Sequence, residues 1–309
     1  MTNLAYSYYY QNYLENFSID HQQIQDFCQN YNQAQSIENR QIKLTTIQGV
    51  LKDFQDKQPV YLAILQQVIK QDFLLTNIQL SDWQRLVIMV VCLQPLINLY
   101  KRNSLPLKVL RETLSDLFLR VNLSQGVGLS ADDFEWLARI FRLRIFKLGE
   151  LQFEFTNFNS ATLPEDISYI NNGYKILKDN LPIISVHIMQ NSLIDKKHSL
   201  SSFDQAIQFK QEFLAEFNYN YFYCHSWLLN PNNNSLLDAD SKILSFAKNF
   251  ELLAYSSCPK MAIERIFGTK ELSLKNLPQQ TSLQRKAIIN LKLLGVGIGI
   301  KKFGNTSVS

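Results

Sequence analysis

Apolar residues recur at every third or fourth position through the first 145 or so residues, which is the period of an amphipathic helix. An S-x-x-Q capping box begins at Ser81 ahead of one such segment, and Pro95 disturbs or ends that helix. Pro106 and Ser130 stand where two further helices can begin. The pattern therefore predicts an all-α domain over residues 1–145.

Beyond residue 145 the pattern becomes short apolar or alternating runs separated by polar turns, which is typical of strands. Leu148–Phe155 alternates apolar and polar residues and predicts a half-buried strand, while Asn171-Asn172-Gly173 predicts a turn. Further strands are predicted over Ile183–Met189, Tyr221–Leu229, Phe250–Tyr255 and Val296–Ile300. Intervening helices are predicted to open at Ser201 or Ser202, at Asp240 or Ser241, near residue 259 and at Thr281. The fold class is thus α+β: an all-α N-terminal domain followed by a mixed α/β domain over residues 146–303.

The segment after the Ile183–Met189 strand combines a polar loop, Gln190 to Ser199, with a following helix. Because the first N–H groups of a helix lack intrahelical partners, a helix start at Ser201 or Ser202 could bind a phosphate, with Lys196 or Lys197 adding positive charge. The alternative is that these serines are ordinary N-caps and that the lysines are solvated. The sequence leaves both interpretations open.

Composition and charge exclude several classes of protein. With 46% hydrophobic residues and a net charge of only +4, the chain lacks the basic surface that nucleic-acid binding requires. The four cysteines are far apart, which argues against a disulfide framework or a zinc site. The polar start, Met1 to Tyr8, does not read as a signal peptide, and the longest apolar run, Leu86–Leu93, is too short for a membrane helix. We therefore expect a cytoplasmic protein that binds no metal, nucleic acid or membrane.

Four blocks, taken in order, resemble a family of bacterial GNAT-like acyltransferases: Trp136–Arg139, Leu148–Glu154, Val186–Ile188 and Cys224–Leu229. In that family a helical N-terminal domain precedes a GNAT-like C-terminal domain, so the resemblance implies a mixed β-sheet flanked by helices over residues 146–303. The resemblance implies that acyl-CoA, as acetyl-CoA or a longer thioester, lies between the fourth and fifth strands, which splay apart. It also implies that the pyrophosphate meets the loop and helix start after strand four. The cofactor-binding residues so implied are Val186, Ile188, Lys196, Lys197, Ser201, Ser202 and Ser226.

Three residues are candidates for proton transfer. His187 lies on the strand that would line the acyl-CoA groove, and imidazole is a suitable base for deprotonating an amine. Glu154 is the alternative base, since desolvation would raise its pKa, and Tyr255 could protonate the departing thiolate. The competing interpretations are a half-buried histidine bound to backbone, a solvent-facing strand glutamate and a tyrosine without a catalytic role.

Cys224, His225 and Ser226 invite a different hypothesis, a thiol or serine hydrolase. Neighbours on a strand point to opposite faces, so Cys224 and Ser226 share one side while His225 and Trp227 share the other. Adjacent Cys-His is therefore not a catalytic pair, and a partner such as His187 would have to come from the next strand. Packing is the simpler interpretation of Cys224 and Trp227.

The leading hypothesis is an acyl-CoA-dependent N-acyltransferase acting on a small-molecule or peptide amine. The alternative is a non-catalytic acyl-CoA-binding or small-ligand-binding regulatory protein on the same scaffold. It is favoured by the absence of glycine from Gln190–Ser202, where the family's phosphate loop has glycines. The helical domain would form a lid, shape the acceptor pocket or mediate homodimer formation.

Overall fold

A computed structural model describes residues 3–15, 17–35, 41–75, 77–190, 192–268 and 277–303. Met1 and Thr2, at the polar start, and Asn191, in the loop after the Ile183–Met189 segment, lie outside the described residues. The chain divides into two compact units, Met1–Lys147 and Leu148–Ser309.

Up to residue 141 the described elements of the first unit are all helices, as the periodicity predicts. Ser81 and Gln84 form the predicted capping box, because the Gln84 amide donates to Ser81 Oγ and the Ser81 amide donates to Gln84 Oε1. Ser130 caps a later helix by accepting from the Asp133 amide at 3.1 Å. The helices are α1 Asn3–Glu15, α2 His21–Ala34, α3 Leu44–Asp56, α4 Gln58–Lys70, α5 Asp82–Val91, α6 Leu93–Arg102, α7 Leu107–Leu123 and α8 Ala131–Phe141.

The α5 and α6 helices form the most apolar part of this unit. They are separated by a turn at Cys92, so the predicted interruption falls just before Pro95. By length and composition, Asp82–Arg102 could cross a membrane, yet 83% of its most apolar window is buried inside the protein. A buried core helix has the same composition, so this segment is weak evidence for a membrane span.

The second unit contains a mixed sheet. Its strands are β1 Ile145–Leu148, β2 Leu151–Asn157, β3 Ser168–Tyr169, β4 Pro182–Ile188, β5 Tyr221–Ser226, β6 Glu251–Ser256 and β7 Val296–Lys302. Among the described residues the strand order is β1-β2-β4-β5-β7-β6-β3. The β4 and β5 strands are parallel, and β2 with β4, β5 with β7, β6 with β7 and β3 with β6 are antiparallel. The predicted helical region followed by a mixed sheet with flanking helices is confirmed.

The helices of this unit flank the sheet. They are α9 Gly173–Ile176, α10 Lys196–Phe213, α11 Asn233–Leu236, α12 Lys242–Ala247, α13 Lys260–Phe267 and α14 Ser282–Ile289. The Thr281–Gln284 capping box predicted for α14 is present, and Ser241 caps α12.

Directly paired residues of neighbouring strands point to the same face of a sheet, so the register defines two faces. One, the α10 face, carries Phe153 and Phe222, whose rings lie 6.0 and 4.9 Å from the ring of Phe203 on α10. The other, the opposite face, buries a cluster of Phe158, Leu177, Ile183, Tyr223, Leu253, Ala254, Ile298 and Ile300. Both faces therefore have apolar cores, although the opposite face also holds polar residues near β2 and β4.

Several local predictions are wrong. The predicted Tyr221–Leu229 strand ends at Ser226, and Trp227–Leu229 forms a 3₁₀ turn capped by the Ser226 side chain. Leu148–Phe155 is not one strand, because a turn at Gly149-Glu150 separates β1 from β2. The predicted turn is present at Asn171-Asn172, and Gly173, predicted to belong to it, begins the short helix α9.

Candidate active site

The β4 and β5 strands pair at only two positions, Ile184 with Phe222 and Ser185 with Tyr223. Within these described strands no further pairing joins them, although β4 continues to Ile188 and β5 to Ser226. Their outer edges stay paired, β4 with β2 and β5 with β7. The backbone of 186–188 and that of 224–226 are therefore not paired with each other, and we call the space between these two stretches the wedge.

The register assigns side chains to the two sides of the wedge. On the α10 face, Val186 and Ile188 of β4 lie across from Cys224 and Ser226 of β5, counting onward from the Ile184–Phe222 pair. On the opposite face, counting from Ser185 and Tyr223, His187 and His225 occupy corresponding positions. The predicted ligand-binding residues Val186, Ile188 and Ser226 thus line one side of the wedge, and His187 lies on the other.

His187 and Glu154 form a polar pair beside the wedge. His187 Nε2 lies 3.1 Å from Glu154 Oε2 across the antiparallel β2–β4 pair. The Glu154 side chain is 5% exposed and the His187 side chain 26% exposed. A buried carboxylate that accepts from Nε2–H fixes the tautomer in which Nδ1 carries the lone pair, and it stabilises the imidazolium when Nδ1 takes a proton. Glu154 and His187, the two candidate bases, therefore form one hydrogen-bonded pair.

Two further polar residues are the cross-strand neighbours of this pair. Gln152 is paired with His187, and Ser185 is paired with Glu154. Gln152, Glu154 and Ser185 are all buried, at 1%, 4% and 8% exposed. The prediction that β2 is half-buried, with Glu154 facing solvent as one alternative, is wrong because both faces of Leu151–Phe155 are buried. Neither Gln152 nor Ser185 was predicted to belong to the site; the available signal was a polar residue within an apolar strand, beside Phe153 in β2 and between Ile184 and Val186 in β4.

Tyr255 is not brought to this site. It pairs with Gly297 on β7, and Gly297 pairs with Ser226, so the Tyr255 side chain lies on the α10 face. Since β5 and β7 separate β6 from β4, Tyr255 also lies about 14 Å across the sheet from β4. The structure thus separates Tyr255 from His187, which lies on the opposite face.

The helix after β4 begins earlier than predicted. The α10 helix starts at Lys196, with Asp195 as its N-cap, so the predicted opening at Ser201 or Ser202 is wrong. Lys196 and Lys197 occupy its exposed first turn. Among the residues predicted to bind the pyrophosphate, these two lysines are at the helix N-terminus, and the serines are not.

Ser201 and Ser202 lie more than one turn inside α10. Ser202 is fully buried, and its Oγ accepts from the Glu150 amide and donates to the His198 carbonyl, both at 2.9 Å. The turn approaches so closely that a Cβ at Gly149, whose φ is +67°, would lie 2.6 Å from this hydroxyl. Ser202 therefore fastens the β1–β2 turn to α10. Ser201 is exposed and accepts from the Gln205 amide group at 3.3 Å.

Asp195 occupies the α10 N-terminus that the resemblance assigns to phosphate. Its Oδ1 accepts from the His198 amide at 3.2 Å, and its Oδ2 lies 2.7 Å from His198 Nδ1. Hydrogen bonds from the His198 ring and amide lower the pKa of Asp195. A carboxylate thus occupies the helix N-terminus at which the resemblance implies diphosphate binding, with Lys196 and Lys197 beside it. Sequence reasoning missed Asp195, although aspartate is a preferred N-cap.

Cys224 and Ser226 have the properties of packed residues. Cys224 is completely buried, and this burial raises the pKa of its thiol far above the usual range. Ser226 Oγ accepts from the Leu228 amide at 3.2 Å to cap the 3₁₀ turn. The adjacent histidine, His225, points to the other face, which weighs against the hydrolase hypothesis.

A family model for the GNAT-like C-terminal domain matches residues 145–300, the region that contains the sheet and the His187–Glu154 pair. The chain belongs to the GNAT-like C-terminal domain family. The resemblance found in the sequence is thereby confirmed. We call the matched region the GNAT-like domain.

Solved structures of acyltransferases share this fold. One, in complex with decanoyl-CoA, is 20% identical with a TM-score of 0.58, covering 71% of this chain and 65% of that one. A second, in complex with decanoyl-CoA and teicoplanin, is 21% identical with a TM-score of 0.58, covering 71% of this chain and 66% of that one. A mutant in complex with octanoyl-CoA has the same TM-score, 20% identity, 71% coverage of this chain and 66% of that one. The chain spans about two thirds of the length of these relatives, and at this identity the likeness shows the fold alone. No curated protein matches the chain.

Proposed function

We propose that this protein is an acyl-CoA-dependent acyltransferase that acts on an amine. The observation that carries the proposal is the position of His187 on β4, the strand that borders the wedge, with its ring beside the Glu154 carboxylate of β2. A slender thioester arm entering between β4 and β5 would bring its carbonyl carbon beside a base that is already oriented by a carboxylate. The solved relatives with decanoyl-CoA and octanoyl-CoA support an acyl-CoA donor, with chains longer than acetyl.

In the proposed reaction, His187 Nδ1 takes a proton from the attacking amine as nitrogen bonds to the thioester carbonyl carbon. Glu154 stabilises the imidazolium that forms. Collapse of the tetrahedral intermediate breaks the C–S bond, and the proton held by His187 passes to the departing thiolate, directly or through water. The products are an amide and CoA thiol, so this route balances without Tyr255.

Calorimetry with acetyl-, octanoyl- and decanoyl-CoA tests donor binding, and release of CoA thiol with a panel of small-molecule and peptide amines tests transfer. Saturable binding with acceptor-dependent thiol release would support the proposal. No binding of any thioester would refute it.

The second candidate function is non-catalytic binding of acyl-CoA or another small ligand. The observation that favours it is the α10 N-terminus, where the Asp195 carboxylate caps the helix and the segment Gln190–Ser202 contains no glycine. Acyl-CoA binding without thiol release or amide formation across the amine panel would establish this function instead.

The Asp195 carboxylate gives a testable prediction about where the diphosphate binds. Asp195→Asn retains an oxygen that can cap α10 but removes a negative charge, so we expect CoA to bind about 2- to 5-fold more tightly at low salt. The gain in affinity should shrink as the salt concentration increases, since salt screens the repulsion between the Asp195 carboxylate and the CoA diphosphate at the protein surface. Calorimetric titration with CoA at two ionic strengths measures it.

Asp204→Asn provides the matched control, because Asp204 is an exposed carboxylate two turns further along the same helix. It should leave the affinity for CoA unchanged. Equal effects of the two substitutions would show that the diphosphate does not bind at the α10 N-terminus.

A further inference from the structure

His225 has a buried ring nitrogen, Nε2, that makes no hydrogen bond with the described residues. Leaving a buried polar atom unpaired is costly, and such atoms are uncommon in folded proteins. A histidine kept only for packing would be expected to satisfy this nitrogen or to be replaced by an apolar residue.

The position of His225 connects it with the wedge. Its strand, β5, is held on the other edge by β7, where His225 pairs with Ile298. On the side toward β4, His225 belongs to the open stretch 224–226. It shares the opposite face with the His187–Glu154 pair and occupies the position across the gap from His187. A thioester between the two strands would therefore lie between the two histidines.

The burial of His225 determines the protonation state of its ring and therefore the role that the ring can take in acyl transfer. Burial lowers the pKa of the His225 ring, so at neutral pH the ring is uncharged and carries one N–H donor. A neutral imidazole donates a hydrogen bond without giving up its proton. Such a donor stabilises negative charge developing on oxygen during acyl transfer. It is less suited to protonating a thiolate, which requires the imidazolium.

We propose that His225 Nε2–H donates a hydrogen bond to the carbonyl oxygen of the bound thioester. This inference rests on the proposed acyltransferase function and adds a second catalytic residue. His187 would activate the amine from β4, while His225 would polarise the carbonyl from β5 and stabilise the oxyanion. The unpaired nitrogen would then be satisfied by the substrate.

The test compares octanoyl-CoA with its thioether analogue S-octyl-CoA, which lacks the carbonyl oxygen. We expect the wild-type protein to bind the thioester about 2- to 10-fold more tightly than the thioether. His225→Leu should abolish this preference. His225→Gln, which places an amide N–H near the position of Nε2, should retain part of it. With an active acceptor, His225→Leu should also lower the transfer rate about 100- to 1000-fold.

A stability measurement separates this role from a structural one. His225→Leu removes an unpaired buried polar atom, so we expect an unchanged or raised melting temperature together with the lost preference. If the leucine variant fails to fold, the ¹⁵N shift of the His225 ring supplies the same test. The chain has only four histidines to assign. Octanoyl-CoA should shift the Nε2 signal, and S-octyl-CoA should not.

A thioester preference that persists in His225→Leu, or a ring shift that is equal with both ligands, would overturn the inference while the acyltransferase proposal stands. Failure of the wild-type protein to bind either ligand would overturn both.

Discussion

Replacing His187 with glutamine is expected to lower the rate of acyl transfer about 100- to 10,000-fold while leaving the affinity for acyl-CoA nearly unchanged. Glutamine can still donate to Glu154, but it cannot accept a proton from the amine at neutral pH. The substitution therefore removes the base and keeps the contact with Glu154, so it should slow the chemical step and leave acyl-CoA binding nearly unchanged. Initial rates of CoA release with the best acceptor, and calorimetric affinities for octanoyl-CoA, measure the two effects separately.

The matched control is His198→Gln. His198 also lies beside a carboxylate, with its Nδ1 2.7 Å from Asp195, but it is on α10 rather than in the sheet. We expect its transfer rate to stay within about twofold of wild type, since it is outside the proposed base machinery. Equal losses in the two variants would argue against His187 as the base.

Local signals in the sequence were sufficient where one short motif decides the structure. The capping boxes at Ser81 and Thr281 form as predicted, because their donors and acceptors lie within four residues of each other. The β4 strand was also predictable from its apolar run. In each case the physical cause is contained in the segment itself.

The start of α10 was mispredicted because this segment offers several residues that commonly cap helices. Asp195, Ser201 and Ser202 are all suitable N-caps, and the apolar period that marks the helix becomes clear only at Phe203. The first turn, with Lys196 and Lys197, is polar and exposed and leaves no periodic signal. Ser202 is buried instead by its contact with the Glu150 amide, a residue 52 positions away that the local sequence does not specify.

Which residues lie together in the site depends on the order of the strands in the sheet. The sequence could nominate Glu154 and His187 separately, but their contact requires β2 to lie antiparallel beside β4. The same order places β7 between β5 and β6, and it thereby removes Tyr255 from the site. The His187–His225 relation likewise depends on the parallel β4–β5 register. Strand order is set by packing over the whole domain, which no single motif encodes.

The largest expected effect on stability is at Phe203, which packs α10 against the sheet where β4 and β5 meet. Phe203 is 1% exposed, and its ring lies 4.9 Å from that of Phe222, the residue that pairs with Ile184. It also lies 5.8 Å from the ring of Phe250 and 5.3 Å from Lys301 Nζ. Phe203→Ala should lower the free energy of unfolding of the GNAT-like domain by about 3–5 kcal/mol, through lost apolar contacts and a residual cavity. Urea unfolding followed by circular dichroism measures the loss.

Leu200→Ala is the control for this prediction, since Leu200 lies on α10 but is 37% exposed. It should change stability by less than about 1 kcal/mol, because a partly exposed side chain has less apolar contact to lose. Phe203→Leu should give an intermediate loss, as it retains part of the buried volume.

Because Phe222 pairs with β4 at the closed end of the wedge, Phe203→Ala should also weaken octanoyl-CoA binding at temperatures where the domain remains folded. A stable Phe203→Ala variant with unchanged affinity would show that the aromatic contacts beneath the sheet do not determine the geometry of the wedge.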